Sequence, residues 1–402
     1  MSLIEAELLD DVRQRLFAPI PSAHPRTIGL ELELIPIHKS TRARALATAD
    51  KGASTSEVLS RLGRRDRWRE ESSGDDPPSW NTQDGARISF EPGGQIEIST
   101  APQPTASGVI DSTQSLVTMI RAAMTDAGIE LLARGVDPYN EIDAVPLQLH
   151  RDRYTGMTRY FNSIEPSGVQ MMRQTAALQM NLERGDDPKS RWRLLNSLAP
   201  IVVALFANSR QYAGKRTEWA SYRAQLWRTL DPSRTGIIYD EGAHVERYFA
   251  FALDAVAMRG SSDLAYRPFR EWIHEPAINR EDWVFHLSTL FPEVRPKEFF
   301  ELRSADTIEP DALAAPVLFV TSLVYDEESA SRAIELIGPP SEKLLERAGR
   351  LGLADPEIRR IASRLVVLAL DGARRLGNDY LRRVHLAAAY QYFARALSTT
   401  DI

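Results

Sequence analysis

Along residues 27–35 apolar and polar positions alternate without a break: Ile28, Leu30, Leu32 and Leu34 fall on one side, Gly29, Glu31 and Glu33 on the other. Period two with a single apolar side predicts a half-buried strand. Upstream, residues 1–16 scatter Glu5, Glu7, Asp10 and Asp11 among leucines, the pattern of an amphipathic helix, and Pro21 and Pro25 predict a break before the strand. The pattern then dissolves. Within 36–87, Ser54 and Glu57 form a capping box that predicts one helix. The run Arg64-Arg65-Asp66-Arg67 reads as a solvated loop, and 72–84 as a surface loop.

Order returns at 88–99, two short strand-like runs separated by Pro92-Gly93-Gly94, which predicts a turn or bulge. A helix follows from about 107 to 127, with Gly128 placed to end it. A strand is predicted at 130–136, and 175–183 alternates again, with Ala176, Leu178, Met180 and Leu182 against Thr175, Gln179, Asn181 and Glu183. Asp187-Pro188 opens a helix expected to reach Ser209, with Pro200 kinking it. Helices are predicted at 219–230, 245–258 and 282–290, and a strand at 298–304. The remainder reads as helical, with Asp355-Pro356 as a start signal and Trp192, Trp272 and Trp283 as core. The order lacks regular βαβ alternation, which predicts an α+β fold with a largely antiparallel sheet. One face of that sheet is polar and open to water or substrate.

Composition narrows the function. The chain has 402 residues, 43% of them hydrophobic, with 49 Lys+Arg against 55 Asp+Glu for a formal net charge of −6. A mildly acidic chain without a long basic run is a poor nucleic-acid binder. With no cysteine there is no disulfide, thiolate metal site or thiol nucleophile, which suits a cytoplasmic location. No apolar stretch approaches the roughly 20 residues of a membrane span, and the acidic N-terminal segment is unlike a signal peptide. No repeat and no linker divides the sequence, so 1–402 reads as one domain with a helical part from about 311. Walker A, GxGxxG, GxSxG and HExxH motifs are absent.

The polar strand faces carry the chemistry. Residues two apart on a strand project side by side about 7 Å apart, so Glu31 and Glu33 neighbour each other. Glu91 and Glu97 flank the glycine turn, and Glu301 and Arg303 share a face of the 298–304 strand. Solvated glutamates on one amphipathic strand are common. Glu91-Pro-Gly-Gly-Gln95-Ile-Glu97, a rigid turn between acids, is harder to assign to solvation. If these strands share a sheet, five carboxylates converge, and like charges in partial burial call for a cation. All-oxygen ligation points to Mg2+ or Mn2+ rather than zinc, a metal that commonly accompanies nucleotide phosphates.

The segments EPGGQIEIS (91–99), MMRQTAALQMNLE (171–183), SYRAQLWRTLDPSRTG (221–236) and HLSTLFPEVRPKEFFELRSAD (286–306) resemble the glutamate-cysteine ligases shared by plants and many bacteria. The resemblance implies a glutamine-synthetase-like fold, a curved antiparallel sheet surrounded by helices. It also implies ATP-dependent joining of the γ-carboxylate of L-glutamate to the amine of L-cysteine through a γ-glutamyl phosphate. On that resemblance Glu31, Glu33, Glu91, Glu97 and Glu301 form the metal shell, Arg303 contacts the transferring phosphate, and Glu301 and Arg303 are the catalytic pair. Thr175, Gln179 and Asn181 match the substrate strand, and Arg223 with Trp227 the pair that receives glutamate.

Tyr222 reads equally as packing or binding, His286 as a structural or a catalytic histidine, and Arg295 as a residue orienting Glu301 or touching ligand. The stretch between LDPSRTG and His286, including 265–269, matches loosely, which leaves open a related γ-glutamyl ligase with another amine acceptor. A pseudoenzyme of the same fold is the alternative from a different class. Zero cysteines exclude the disulfide-based control attributed to plant members. The expected partners are small-molecule substrates only, and the sequence does not specify oligomeric state.

Overall fold

The alternating apolar residues of the first strand anchor a central sheet. In the computed structural model, which describes residues 4–20, 26–49, 52–258 and 266–398, Ile28, Leu30, Leu32 and Leu34 have no exposed surface. Pro21, Pro25 and Ala265 lie outside the described residues. Helix α1 (Glu5–Asp11), prolonged by a π turn at Val12–Leu16, precedes β1 (Ile28–His38). Then come α2 (Thr55–Asp66), the strands β2 (Arg69–Ser73), β3 (Asp76–Asn81), β4 (Arg87–Phe90) and β5 (Ile96–Ser99), helix α3 (Ala106–Asp126) and β6 (Ile129–Leu132). Helices α4 (Asp152–Asn162) and α5 (Pro166–Gln174) lead into β7 (Ala177–Leu182), α6 (Pro188–Leu205), the short pair β8 (Gln211–Tyr212) and β9 (Lys215–Arg216), and α7 (Tyr222–Thr229). Past β10 (Thr235–Gly236), helices α8 (His244–Asp254), α9 (Phe269–Trp272) and α10 (Arg280–Ser288) are followed by β11 (Phe291–Pro292), β12 (Val294–Pro296) and β13 (Phe300–Asp306).

Among the described residues, nine strands form one sheet in the order β12-β13-β7-β1-β5-β4-β3-β2, with β6 joined to β1, and every pairing in it is antiparallel. The α+β reading is therefore the fold observed. Helices α3 and α6 pack against β1 and β13, and α11 (Ala314–Tyr325), buried along its whole length, is packed among α3, α6, α14 (Pro356–Leu376) and α15 (Arg383–Ser398). Helices α12 (Glu327–Ile337) and α13 (Glu342–Leu351) complete this layer against α6. On the polar side a smaller apolar cluster, including Met157, Met171, Met172, Trp227 and Phe291, forms a roof. No described helix is long and apolar enough to cross a membrane.

Local signals explain the boundaries. Ser54 caps α2 by accepting from the Glu57 N–H, and Asp187 and Asp355 cap α6 and α14 in the same way. Trp192, Trp272 and Trp283 are buried. Several expectations need correction. Residues 72–84 are not one loop, for only 74–75 and 82–84 lie outside strands: β2 and β3 form a hairpin in which Trp80, with no exposed surface, pairs with Glu70, and on its other side with Ile88 of β4. Pro77 and Pro78 hide it in the sequence because proline donates nothing to a ladder, but β3 pairs with β4 only at Trp80 and Asn81. Arg64 and Arg65 lie in the last turn of α2, which ends where Arg67 turns left-handed at φ 58°. The strand expected at 130–136 ends at Leu132, and α6 stops at Leu205 rather than Ser209.

Candidate active site

Register brings the polar side chains together. Glu31 on β1 lies opposite Gln179 on β7 and Ser99 on β5, and Glu33 opposite Glu97. Glu301 on β13 lies opposite Asn181 on one side and Arg295 on the other. Glu91 is placed by the glycine turn. Gly94 sits at φ 78°, and a Cβ on Gly93 would fall 2.0 Å from the Arg173 carbonyl oxygen, so only glycine fits. The Gly93 carbonyl accepts from Arg44 Nη1 at 3.0 Å and Gln148 Nε2 at 2.7 Å. Arg44 in turn pairs with Asp137 at 2.7 Å, both side chains fully buried.

Glu33, Glu91 and Glu97 can each place a carboxylate oxygen within 4.8 Å of the others. Glu33 accepts from the Ala177 N–H at 2.8 Å and Gln179 Nε2 at 3.1 Å, and Glu97 from Ser99 Oγ at 2.9 Å. Burial, then the neighbouring Glu97 charge, pushes Glu33 up to about 7. The same two causes hold Glu91 well above the ordinary carboxylate range. Glu31 borders the cluster, accepting from Asn181 Nδ2 at 3.0 Å, and burial followed by the charges of Glu301 and Glu97 raises it too.

Glu301 is placed differently. It has no exposed surface, yet it accepts from Arg295 in a two-pronged contact (2.7 and 3.1 Å), from Lys297 at 2.5 Å and from Arg303 at 2.6 Å. Burial works against its charge, but Arg295, Arg303 and Lys297 together hold the carboxyl well below its usual range. Of the five carboxylates expected to converge, three meet, one borders them, and Glu301 gathers cations. Gln179 joins the two halves, donating to Glu33 while accepting from Arg303 Nη1.

The remaining expected site residues divide. Thr175 lines the cleft but turns its hydroxyl back to the Met171 carbonyl at 2.7 Å. Trp227 lines it with Arg223 stacked on its ring at 4.4 Å. Arg223 itself does not line the cleft: it is buried, donates to the Arg303 carbonyl at 2.8 Å, and keeps its Nε without a partner. Tyr222 is stacked on Tyr212 with centroids 5.1 Å apart, and does not line the cleft. His286 lies away from it, bonded to the Ala252 carbonyl at 2.7 Å and stacked on Phe269; burial pushes its pKa down to about 3.

Over residues 27–401 the sequence matches the description glutamate-cysteine ligase family 2 (GCS2). The chain belongs to that family. It is 31% identical over 320 residues to glutamate–cysteine ligase EgtA of Mycobacterium tuberculosis, which covers 74% of this chain and 72% of the relative. It is 31% identical over 349 residues to the chloroplastic glutamate–cysteine ligase of Medicago truncatula, covering 80% and 68%. The solved glutamate–cysteine ligase of Francisella tularensis in complex with AMP superposes with a TM-score of 0.53 at 11% identity, over 95% of this chain and 83% of that one. The glutamine-synthetase-like fold follows, and family membership makes the chain an ATP-dependent ligase.

Two parts of this candidate site escaped sequence reasoning. Arg153 and Tyr154, at the start of α4, line the cleft beside Glu91. They sit in a polar stretch with no periodicity, so nothing marked them. Lys297 was legible in principle, since it stands two residues from Arg295. The cleft itself encloses about 180 Å³, and an adjoining pocket of about 390 Å³, lined by Leu16, Tyr248 and Leu287, shares Arg153 and Arg295 with it.

Proposed function

We propose that the protein joins the γ-carboxylate of L-glutamate to the amine of L-cysteine at the expense of ATP, giving γ-glutamylcysteine, ADP and phosphate. The observation that carries this reading is the contrast within one sheet face: three converging carboxylates beside a carboxylate that holds two arginines and a lysine. Phosphoryl transfer needs little covalent help and much positioning and charge neutralisation, and this face offers both signs of charge.

The small cleft suits one amino acid and the adjoining pocket a nucleotide base. Arg153 and Arg295, common to both, then lie where a triphosphate would cross. Glutamate would rest its α-carboxylate toward Arg223, whose Nε is free to donate, against the Trp227 ring. Its γ-carboxylate oxygen attacks the γ-phosphorus, and the bridging oxygen leaves with ADP. Arg303, positioned by Glu301 and Gln179 and with its Nε unpartnered, donates to the transferring phosphoryl oxygens. The amine then attacks the acyl carbon, phosphate departs and the amine loses a proton.

Glu33, Glu91 and Glu97 fit a hard divalent cation, Mg2+ or Mn2+: the donors are all oxygen, and the raised pKa values of Glu33 and Glu91 mark a site short of positive charge. Such an ion would neutralise triphosphate charge. The reading treats residues 1–402 as one catalytic domain. The test is ADP release with Mg-ATP and L-glutamate, alone and with each of a panel of amino acids and amines, products being identified by mass. Release requiring both glutamate and cysteine, with γ-glutamylcysteine formed, supports the reading. Release with glutamate and another amine keeps the mechanism and replaces the acceptor; no release with any partner favours a pseudoenzyme.

A further inference from the structure

A second cavity, of about 520 Å³, opens where the C-terminal helical layer meets the segment after α6. Arg134, Arg210 and Arg359 all line it, and no Asp or Glu does so among the described residues. Arg134 and Arg210 are exposed and neither pairs with a described carboxylate; Arg134 donates instead to the Asn208 side-chain oxygen at 2.8 Å. Arg359 donates to the Leu353 carbonyl at 2.7 Å and adds its charge to the same wall. The rest of the lining is largely apolar, with Leu205, Leu353 and Ala396. Concentrated positive charge over an apolar floor, in a volume within the ligand-binding range of about 300–1,000 Å³, selects for an anion that carries an apolar body.

The cavity wall is also one hydrogen bond from the site already described. Asn208 and Ser209 line it. The Asn208 N–H donates to Asp306 Oδ2 at 2.8 Å and the Ser209 hydroxyl to the same oxygen at 2.6 Å. Ser221 holds the other Asp306 oxygen at 2.9 Å. Ser209 Oγ then accepts from the Arg223 N–H at 3.2 Å, and the Arg223 guanidinium lies 3.9 Å from Asp306. Moving Asn208 or Ser209 therefore moves partners of Arg223 directly, through a contiguous buried network.

We propose that this cavity is an effector site for a small organic anion, a carboxylate or phosphate ester with an apolar body, and that its occupancy changes how Arg223 meets glutamate. The second half rests on the proposed role of Arg223; the first does not. Binding is therefore measured by calorimetry on the full chain without substrates, using phenyl phosphate and phenylacetate as probes and benzyl alcohol as the uncharged control. Saturable binding of either charged probe, weakened at least tenfold by Arg210→Glu and by Arg134→Gln, is the expected result. Phosphate-only or carboxylate-only binding identifies the head group. The Arg210 side chain is exposed and outside the Asn208 network, so Arg210→Glu should keep the parent's melting temperature and basal ligation rate.

Binding of neither charged probe, equal binding of benzyl alcohol, or affinity unchanged in both variants would overturn the site. For the coupling, saturating probe should change KM for glutamate at least twofold in the parent and not in Arg210→Glu. A KM that does not respond, in an enzyme that ligates, overturns the coupling alone. Absence of ligation would instead strike the proposed function and leave the calorimetric result standing.

Discussion

Glu33 and Glu97 face each other across β1 and β5 as register partners, two acids set opposite one another on a half-buried sheet face. Like charges directly opposite destabilise a sheet, and the effect is visible in Glu33, pushed up to about 7 by burial and by Glu97. The native state thus holds a proton that the unfolded chain, with Glu33 near 4.5, has released. Stability from this group is fully present below pH 4.5 and is lost as pH rises through about 7. Glu91 is shifted in the same direction. The metal-free protein should therefore melt at progressively lower temperature from pH 5 to pH 8, Glu33→Gln should flatten that slope, and Mg2+ should restore the melting temperature at pH 8. A flat profile with no response to Mg2+ would show that these carboxylates are not a cation site.

Removing one carboxylate while keeping its shape separates charge from packing. Glu97→Gln leaves Ser99 and Ser89 within reach of the side chain but takes one of three carboxylates from the cluster. The expected outcome is a Mg2+ requirement at least tenfold higher, or loss of activity, with the fold intact by circular dichroism. An unchanged metal titration would make the 91–97 turn purely structural.

Arg303 donates from one nitrogen to both Glu301 and Gln179 and keeps its Nε without a partner. That geometry argues for a guanidinium reserved for an incoming oxygen. Arg303→Ala should lower kcat by about 10²–10³, the range for loss of a single transition-state donor, with an unaltered far-ultraviolet spectrum. Arg303→Lys keeps a positive charge without the fork and should recover only part of the rate. Near-normal turnover in the alanine variant would take Arg303 out of the phosphate role.

How much of this was legible depends on which strands have a wet face. β1 alternates because its glutamates border the cleft while its leucines are buried, so both its existence and its acidic face could be read. β13 is buried at all seven positions, so alternation is absent there and its bounds were displaced by two residues. The convergence of Glu33 and Glu97 depends on β1 pairing with β5, a long-range fact that no local pattern contains. Glu301 looked like a fifth converging acid because the sequence offers Arg303 and Arg295 as its neighbours one at a time and does not show Lys297 folding onto it beside them. Arg153 reaches the cleft only through the placement of α4.

The turn that carries Glu91 offers the sharpest test of how the scaffold supports the cluster. Gly93 packs so closely on α5 that any Cβ would overlap the Arg173 carbonyl, and its own carbonyl is held by Arg44 and Gln148. Gly93→Ala must displace the turn, at a cost of about 1–3 kcal/mol or more for overpacking, and so should reduce Mg2+ response as well as stability. Arg44→Met acts from farther away. It leaves Asp137 charged and buried, a loss of about 3–5 kcal/mol, although Asp137 still accepts from the Tyr139 and Asn140 N–H groups. Adding Asp137→Asn removes that orphaned charge and should recover much of the stability in urea melts, while the Gly93 carbonyl keeps only Gln148. If the double variant regains stability but not Mg2+-dependent turnover, Arg44 positions the metal-side turn. If it regains both, the Arg44–Asp137 pair serves folding alone.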